Sequence, residues 1–372
     1  PRICRVIGVS SAQDGGPRRL AGGGPFGGQL FAGWAPPQNV HSCRSLAHSC
    51  RCCVPPLPRR ARGCYVCLPS WRNSQGMSTT STDMASLIAT LQDEPGFDAT
   101  RIPGVRLMRA EQAYPRSPVF YEPRICILAQ GQKIGFLGGE TYRYDAERYL
   151  VMSVPLPFEC ETHASAAEPL LGVSVDVDIG TLKELLLQME EAPGSDDDNE
   201  LAPSAPMASV PLDAGMADAV MRLLGCLQSP LDSHILGPQL VREIIFRALR
   251  SEQGNALRAV AGRHSGYGRM ARALRRIHTD YASALDIDTL AREANMSVST
   301  FHHNFKAMTF TSPLQYLKSV RLYKAWSLMV QDGLNASTAA NQVGYESPSQ
   351  FSREFKRYFG RTPSEEIQAA RR

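Results

Sequence analysis

The 372 residues contain no run of 18 apolar side chains, so no stretch reads as a membrane-spanning helix. Cysteine is scarce over most of the chain. Seven of the ten lie in the first 76 residues: Cys4, Cys43, Cys50, Cys52, Cys53, Cys64 and Cys67. Only Cys126, Cys160 and Cys226 follow, widely spaced, which excludes a disulfide framework there and fits a reducing cytosol. His-x-His is absent, and His163 stands alone in the strand-rich middle, which argues against a catalytic metal site. No Ser/His/Asp set at interpretable spacing and no phosphate-binding Gly loop is present. The expectation is therefore no enzyme, no cofactor and no metal.

Acidic residues are almost missing from residues 1–76, which hold ten Arg, no Lys, no Glu and only Asp14. Gly, Pro and Arg are dense there, and no apolar periodicity survives. Such a segment cannot offset the entropy of ordering it, so disorder is expected. The composition matches GC-rich DNA read in a frame not selected for folding. The reading is upstream sequence, with the working protein starting at Met77. A secretory signal lacks its apolar core, and Gly/Pro density breaks the helix of a transit peptide. A zinc module using Cys64-x-x-Cys67 with Cys50, Cys52, Cys53, His41 or His48 is the rival reading.

The net charge of +4 hides an asymmetry: +9 over residues 1–76, −11 over 77–264 and +6 over 265–372. Such polarity suggests one segment that meets a polyanion and one that avoids it. Val119–Val177 reads as short strands with turns, the pattern of a small barrel or sandwich. Gly138-Gly139 supplies a hairpin turn between Lys133–Leu137 and Glu140–Tyr144. Helical period then takes over at Thr181–Glu190. Glu191–Pro211 reads as a solvated loop, followed by amphipathic helices at Asp213–Gln228 and Pro238–Gln253. Their apolar stripes either cover the strands or pair with a second subunit. Cys126 and Cys160 read as inert strand thiols, with redox or electrophile sensing as the alternative.

The basic end is the most informative part. Asp288–Ala294 is a short helix, Asn295-Met-Ser297 a tight turn, and Val298–Met308 a second helix with Phe301 and Phe305 inward. The unit recurs as Ala336–Val343, Gly344-Tyr-Glu346, and a helix opened by Ser347-Pro-Ser-Gln350. Thr362-Pro-Ser-Glu365 starts a final helix by the same capping logic. Ser312–Val330 joins the units as one rigid helix of about 28 Å. Major-groove segments recur every ~34 Å, so one chain can present two recognition helices to successive segments.

Gly344-Tyr-Glu-Ser-Pro-Ser-Gln-Phe-Ser-Arg-Glu-Phe-Lys356 and Phe359-Gly-Arg-Thr-Pro363 closely resemble the signature of the AraC/XylS family of bacterial transcription regulators. Pro123–Gly131 and Tyr149–Pro157 resemble the N-terminal domain of one AraC subfamily. The resemblance implies an α+β chain: a degenerate cupin-like β-barrel with helices, then an all-α domain of two helix-turn-helix units. Residues 77–262 would be the effector-sensing and dimerisation domain, and residues 263–372 the DNA-binding domain.

The resemblance further implies a cytoplasmic bacterial regulator, activator rather than repressor. Its partners would be double-stranded promoter DNA, RNA polymerase, a small-molecule effector and a second copy of the chain, with no membrane. The subfamily includes regulators of aldehyde-reductase genes, which suggests a carbonyl or electrophile signal. Ser299, Thr300, His302 and His303 would face DNA in the first unit, and Ser349, Gln350, Ser352 and Arg353 in the second. Arg353 suits guanine and Gln350 adenine. Lys306, Lys356 and Arg357 would lie nearer phosphates. A zinc- or thiol-dependent alkyl-transfer module fused to a DNA-binding domain is the alternative.

Overall fold

The computed structural model describes residues 76–191, 205–251, 254–262 and 266–371. The readings made for residues 1–75, the zinc module included, lie outside the described residues. In chain order, helix α1 (Gly76–Leu91) precedes the strands β1 (Gly96–Ala99), β2 (Val105–Ala110), β3 (Tyr114–Tyr121), β4 (Arg124–Gln130), β5 (Gln132–Leu137), β6 (Glu140–Tyr144), β7 (Arg148–Met152), β8 (Leu156–His163) and β9 (Leu170–Asp176). Helix α2 (Ile179–Glu190) and strand β10 (Met207–Pro211) follow. The rest is helical: α3 (Ala214–Cys226), α4 (Pro230–Ile235), α5 (Gly237–Leu249), α6 (Gly254–Ala261), α7 (Gly266–Thr279), α8 (Ile287–Glu293), α9 (Val298–Thr309), α10 (Pro313–Val330), α11 (Ala336–Gln342), α12 (Pro348–Phe359) and α13 (Pro363–Arg371).

The strands form two antiparallel sheets, ordered β1-β2-β9-β4-β7-β10 and β3-β8-β5-β6. They are not closed into the barrel expected from the sequence. Strand β4 shows why its apolar run is continuous rather than alternating. Ile125, Ile127 and Ala129 face a core shared with helices, whereas Cys126 and Leu128 face the other core. A strand buried on both faces has no polar side to show. The hairpin expected at Gly138-Gly139 is present, with both glycines at positive φ.

The apolar stripes of α3 (Met216, Val220, Leu223, Leu224) and α5 (Leu240, Ile244, Ile245, Leu249) are buried within the chain, packed on the six-stranded sheet. They are therefore not the surface for a second subunit. The loop expected over 191–211 ends differently: Met207–Pro211 pairs with Arg148–Met152 as β10. Its Pro sits at the strand end, where a missing N–H is tolerated. Residues 192–204 lie outside the described residues. Helix α4 and the strands β1 and β2 are further departures, too short or too irregular in pattern to stand out.

Candidate nucleic-acid interface

Both helix-turn-helix units close their turns the same way. At the first, Asn295 takes φ +54 and the Met296 N–H returns to the Ala291 carbonyl at 2.9 Å. At the second, Gly344 takes φ +85 and the Tyr345 N–H returns to the Ala340 carbonyl at 3.0 Å. This is the left-handed stop that Gly, or less often Asn, accepts. Gly344 has a second reason: a Cβ there would run into the Ala282 backbone. Arg321 on α10 fixes the same turn by donating to the carbonyls of Tyr281 (2.7 Å), Ser283 (2.9 Å) and Gly344 (3.2 Å).

Each recognition helix starts on a serine. Ser297 Oγ accepts the Thr300 N–H, and Ser347 Oγ accepts the Gln350 N–H at 3.3 Å. The capping box expected at Ser347 is half made, because the Gln350 amide turns forward to Glu354 Oε1 at 3.2 Å. A carboxylate one turn ahead is the stronger acceptor. The final helix has the full reciprocal box between Thr362 and Glu365. Phe301, Phe305, Phe351 and Phe355 are buried, and Phe359 is half-buried. Leu314, near the start of α10, is 56% exposed.

All eleven candidate residues are exposed: Ser299, Thr300, His302, His303 and Lys306 on α9, and Ser349, Gln350, Ser352, Arg353, Lys356 and Arg357 on α12. Arg353, Lys356 and Arg357 form no ion pair among the described residues, so their charge is available to an anion. Helix α10, of about 27 Å, separates the two units.

Sequence reasoning missed Glu354, which ties α12 to the spacer. It accepts from Lys318 Nζ (3.0 Å), the Tyr345 hydroxyl (2.8 Å) and Gln350. Burial alone would raise its carboxyl, but those donors outweigh it and hold the group below the usual carboxylate range.

Also missed was a cavity of about 490 Å³ between β2, β3 and β8 on one side and, on the other, Tyr323, Trp326, Phe359 and Glu366 of the helices with Arg361 of the turn before α13. Lys133 reaches into it. Its ammonium donates to the Tyr121 hydroxyl at 3.1 Å and has no carboxylate partner among the described residues. Cys160 also lines the cavity, and Cys126, Cys160 and Cys226 are all free and buried. No alternation pattern marks a cavity built by two domains, so only three dimensions expose it.

A β-rich domain joined to two helix-turn-helix units on one spacer defines a DNA-binding transcription regulator. Residues 101–256 match the family profile for the AraC-type transcriptional regulator N-terminus, and residues 290–369 that for a helix-turn-helix domain. Together they span more than half of the chain, which belongs to the AraC/XylS family of transcriptional regulators, not to an enzyme family.

A putative AraC-like transcription regulator of Streptomyces lividans is 30% identical over 167 residues, 43% of this chain and 55% of the relative. The lactose operon transcription activator of Staphylococcus xylosus is 32% identical over 89 residues, 24% of this chain and 32% of the relative. The chain thus spans a third to about half of the length of these relatives. Unsaturated-fatty-acid-bound ToxT of Vibrio cholerae shares the fold at TM-score 0.52 and 12% identity, over 71% of this chain and 93% of that one. No described helix is long and apolar enough to cross a membrane.

Proposed function

We propose that this chain is an effector-responsive, sequence-specific transcription activator acting in the bacterial cytoplasm. The carrying observation is the pair of capped helices, α9 and α12, whose outward faces are exposed on a common spacer. Residues 263–372 would bind double-stranded promoter DNA. Ser299, Thr300, His302, His303, Ser349, Gln350, Ser352 and Arg353 would meet base edges. Lys306, Lys356 and Arg357 would meet phosphates. Gln350 must first leave Glu354 to read a base.

Residues 77–262 would sense the effector and hold a second copy. The cavity between the domains is of ligand size, and Lys133 within it favours an acid with an apolar body over a neutral carbonyl. The fatty-acid-bound state of ToxT supports this reading. For a homodimer, the apolar surface still on offer is on and beside α4, where Leu231, Ile235 and Leu236 are 70%, 56% and 49% exposed. RNA polymerase would be the downstream partner, as the family membership suggests.

Selection from a random duplex pool by the full chain tests the reading. Enrichment of one motif with two half-sites about one helical turn apart is expected. A pool that stays random after repeated rounds would rule it out.

A further inference from the structure

The helical wall of the cavity is one-sided. It is made by Tyr323 and Trp326 of α10, Phe359 at the end of α12, Arg361 in the turn that follows and Glu366 of α13. Among the described residues, none from α8, α9 or α11 lines it. The second recognition helix thus reaches the cavity with its own last residue, and the first does not.

Phe359 is also one end of a row of packed rings. Its centroid lies 4.6 Å from that of Phe355, Phe355 lies 5.5 Å from Phe351, and Phe351 lies 5.3 Å from Tyr345. Tyr345 sits in the turn of the second unit, and its hydroxyl donates to Glu354 of α12 at 2.8 Å. The row therefore spans α12 from the cavity wall to the turn that starts it. Phe351 and Phe355 are buried, and close-packed side chains pass strain to their neighbours rather than absorb it. Beyond Phe359, the α12–α13 connection is tied to the spacer, because Trp326 Nε1 donates to Glu366 Oε1 at 3.1 Å.

We propose, resting on the cavity as the effector site, that a ligand there acts through this ring row on the second recognition helix, α12, and leaves the first, α9, as it is. A ligand body filling the cavity meets Phe359 and Glu366 directly. A ring route to α9 also exists, but it is indirect. It starts at Tyr323 and passes Phe120 of β3 (5.7 Å), His278 of α7 (4.5 Å) and Tyr316 of α10 (6.0 Å) before Phe305 of α9 (5.3 Å). Each intervening contact can relax, and dispersion attraction weakens steeply with a gap. Two further contacts hold α9 independently of the cavity. Tyr316, which packs on Phe305, donates to the Pro155 carbonyl at 2.6 Å, and Phe310 at the α9 C-cap rests on Gly138. None of these four residues lines the cavity. An effector would therefore change readout by Ser349, Gln350, Ser352 and Arg353, and not by Ser299, Thr300, His302 and His303.

Hydrogen exchange of the full chain, with and without saturating oleic acid, tests this at short exchange times, which report local opening rather than global unfolding. Peptides from α12 and α13 should slow at least about fivefold, the low end of a typical coupling between sites. Peptides from α8 and α9 should not change. Phe355→Leu interrupts the row outside the cavity. It should keep the rise in melting temperature with oleic acid but lose the slowing around Tyr345. Should Phe355→Leu not fold, the unaltered chain decides alone. Equal slowing of both units, slowing of α8 and α9 alone, or a raised melting temperature with no slowing in either unit overturns the inference and leaves the cavity as the effector site. Undiminished slowing around Tyr345 in Phe355→Leu also overturns it. Oleic acid that neither raises the melting temperature nor slows any peptide removes the effector site itself, and the inference with it.

Discussion

The Tyr316 hydroxyl on α10 donates to the Pro155 carbonyl at 2.6 Å, joining the spacer of the helical domain to the loop before β8. Both groups are buried, and Tyr316 also packs against Phe305 of the first recognition helix, 5.3 Å between centroids. Tyr316→Phe keeps the ring and leaves the carbonyl unpaired. It should cost about 1 kcal/mol of stability in urea unfolding. An unchanged midpoint would mean the bond contributes nothing across the domain boundary.

A second contact joins the β5–β6 turn to the C-cap of α9. Gly138 has φ +63, and a Cβ there would overlap the Phe310 ring. Gly138→Ala should destabilise the chain by roughly 1–3 kcal/mol, from left-handed strain plus overlap. Adding Phe310→Ala should recover the overlap part and not the strain. Thermal unfolding of the single and double variants separates the two; no recovery would mean the turn and the cap do not touch.

These contacts mark where sequence reading stops. Local chemistry was legible: Ser297, Ser347 and Thr362 cap helices as expected, and the Phe pairs 301/305 and 351/355 bury at four-residue spacing. The hairpin at Gly138-Gly139 was equally local. What was not legible depends on partners distant in sequence. The Gln350 amide goes to Glu354 because Lys318 and Tyr345 hold that carboxylate in place. Lys133 faces a cavity whose other wall begins some 190 residues later, at Tyr323. The α3 and α5 stripes fit either a sheet or a subunit by periodicity, and only the packing shows the sheet.

Glu354 makes acid stability testable. Its folded carboxyl lies below its unfolded value of about 4.3, so its contribution is complete above that value. The contribution is lost as pH falls through the lower folded value. Glu354→Gln should therefore lose stability at neutral pH and show a shallower decline between about pH 5 and pH 3. Urea unfolding across that range checks it; parallel curves for both chains would deny Glu354 the role.

The cavity predicts a ligand response. A long-chain unsaturated fatty acid should raise the melting temperature of the full chain, because a ligand that binds only the folded state stabilises it by mass action. Lys133→Met should cut that shift by more than half while leaving the free protein folded. A shift of equal size in the variant would place the acid elsewhere.

Arg353 and Arg357 lie one turn apart on α12 and are both exposed, yet their expected effects on DNA differ. Arg353→Ala should cost ~1–3 kcal/mol on the selected site and relax the preference at one base pair. Arg357→Ala should weaken selected and random duplexes alike and reduce the salt slope by about 1. Titrations on both duplexes at two salt concentrations separate these outcomes. The distinction is physical: a guanidinium that forks onto a guanine edge loses specificity when removed, whereas one near a phosphate loses a released counterion. Equal losses on both duplexes for both variants would remove Arg353 from base readout and leave α12 as a non-specific phosphate contact.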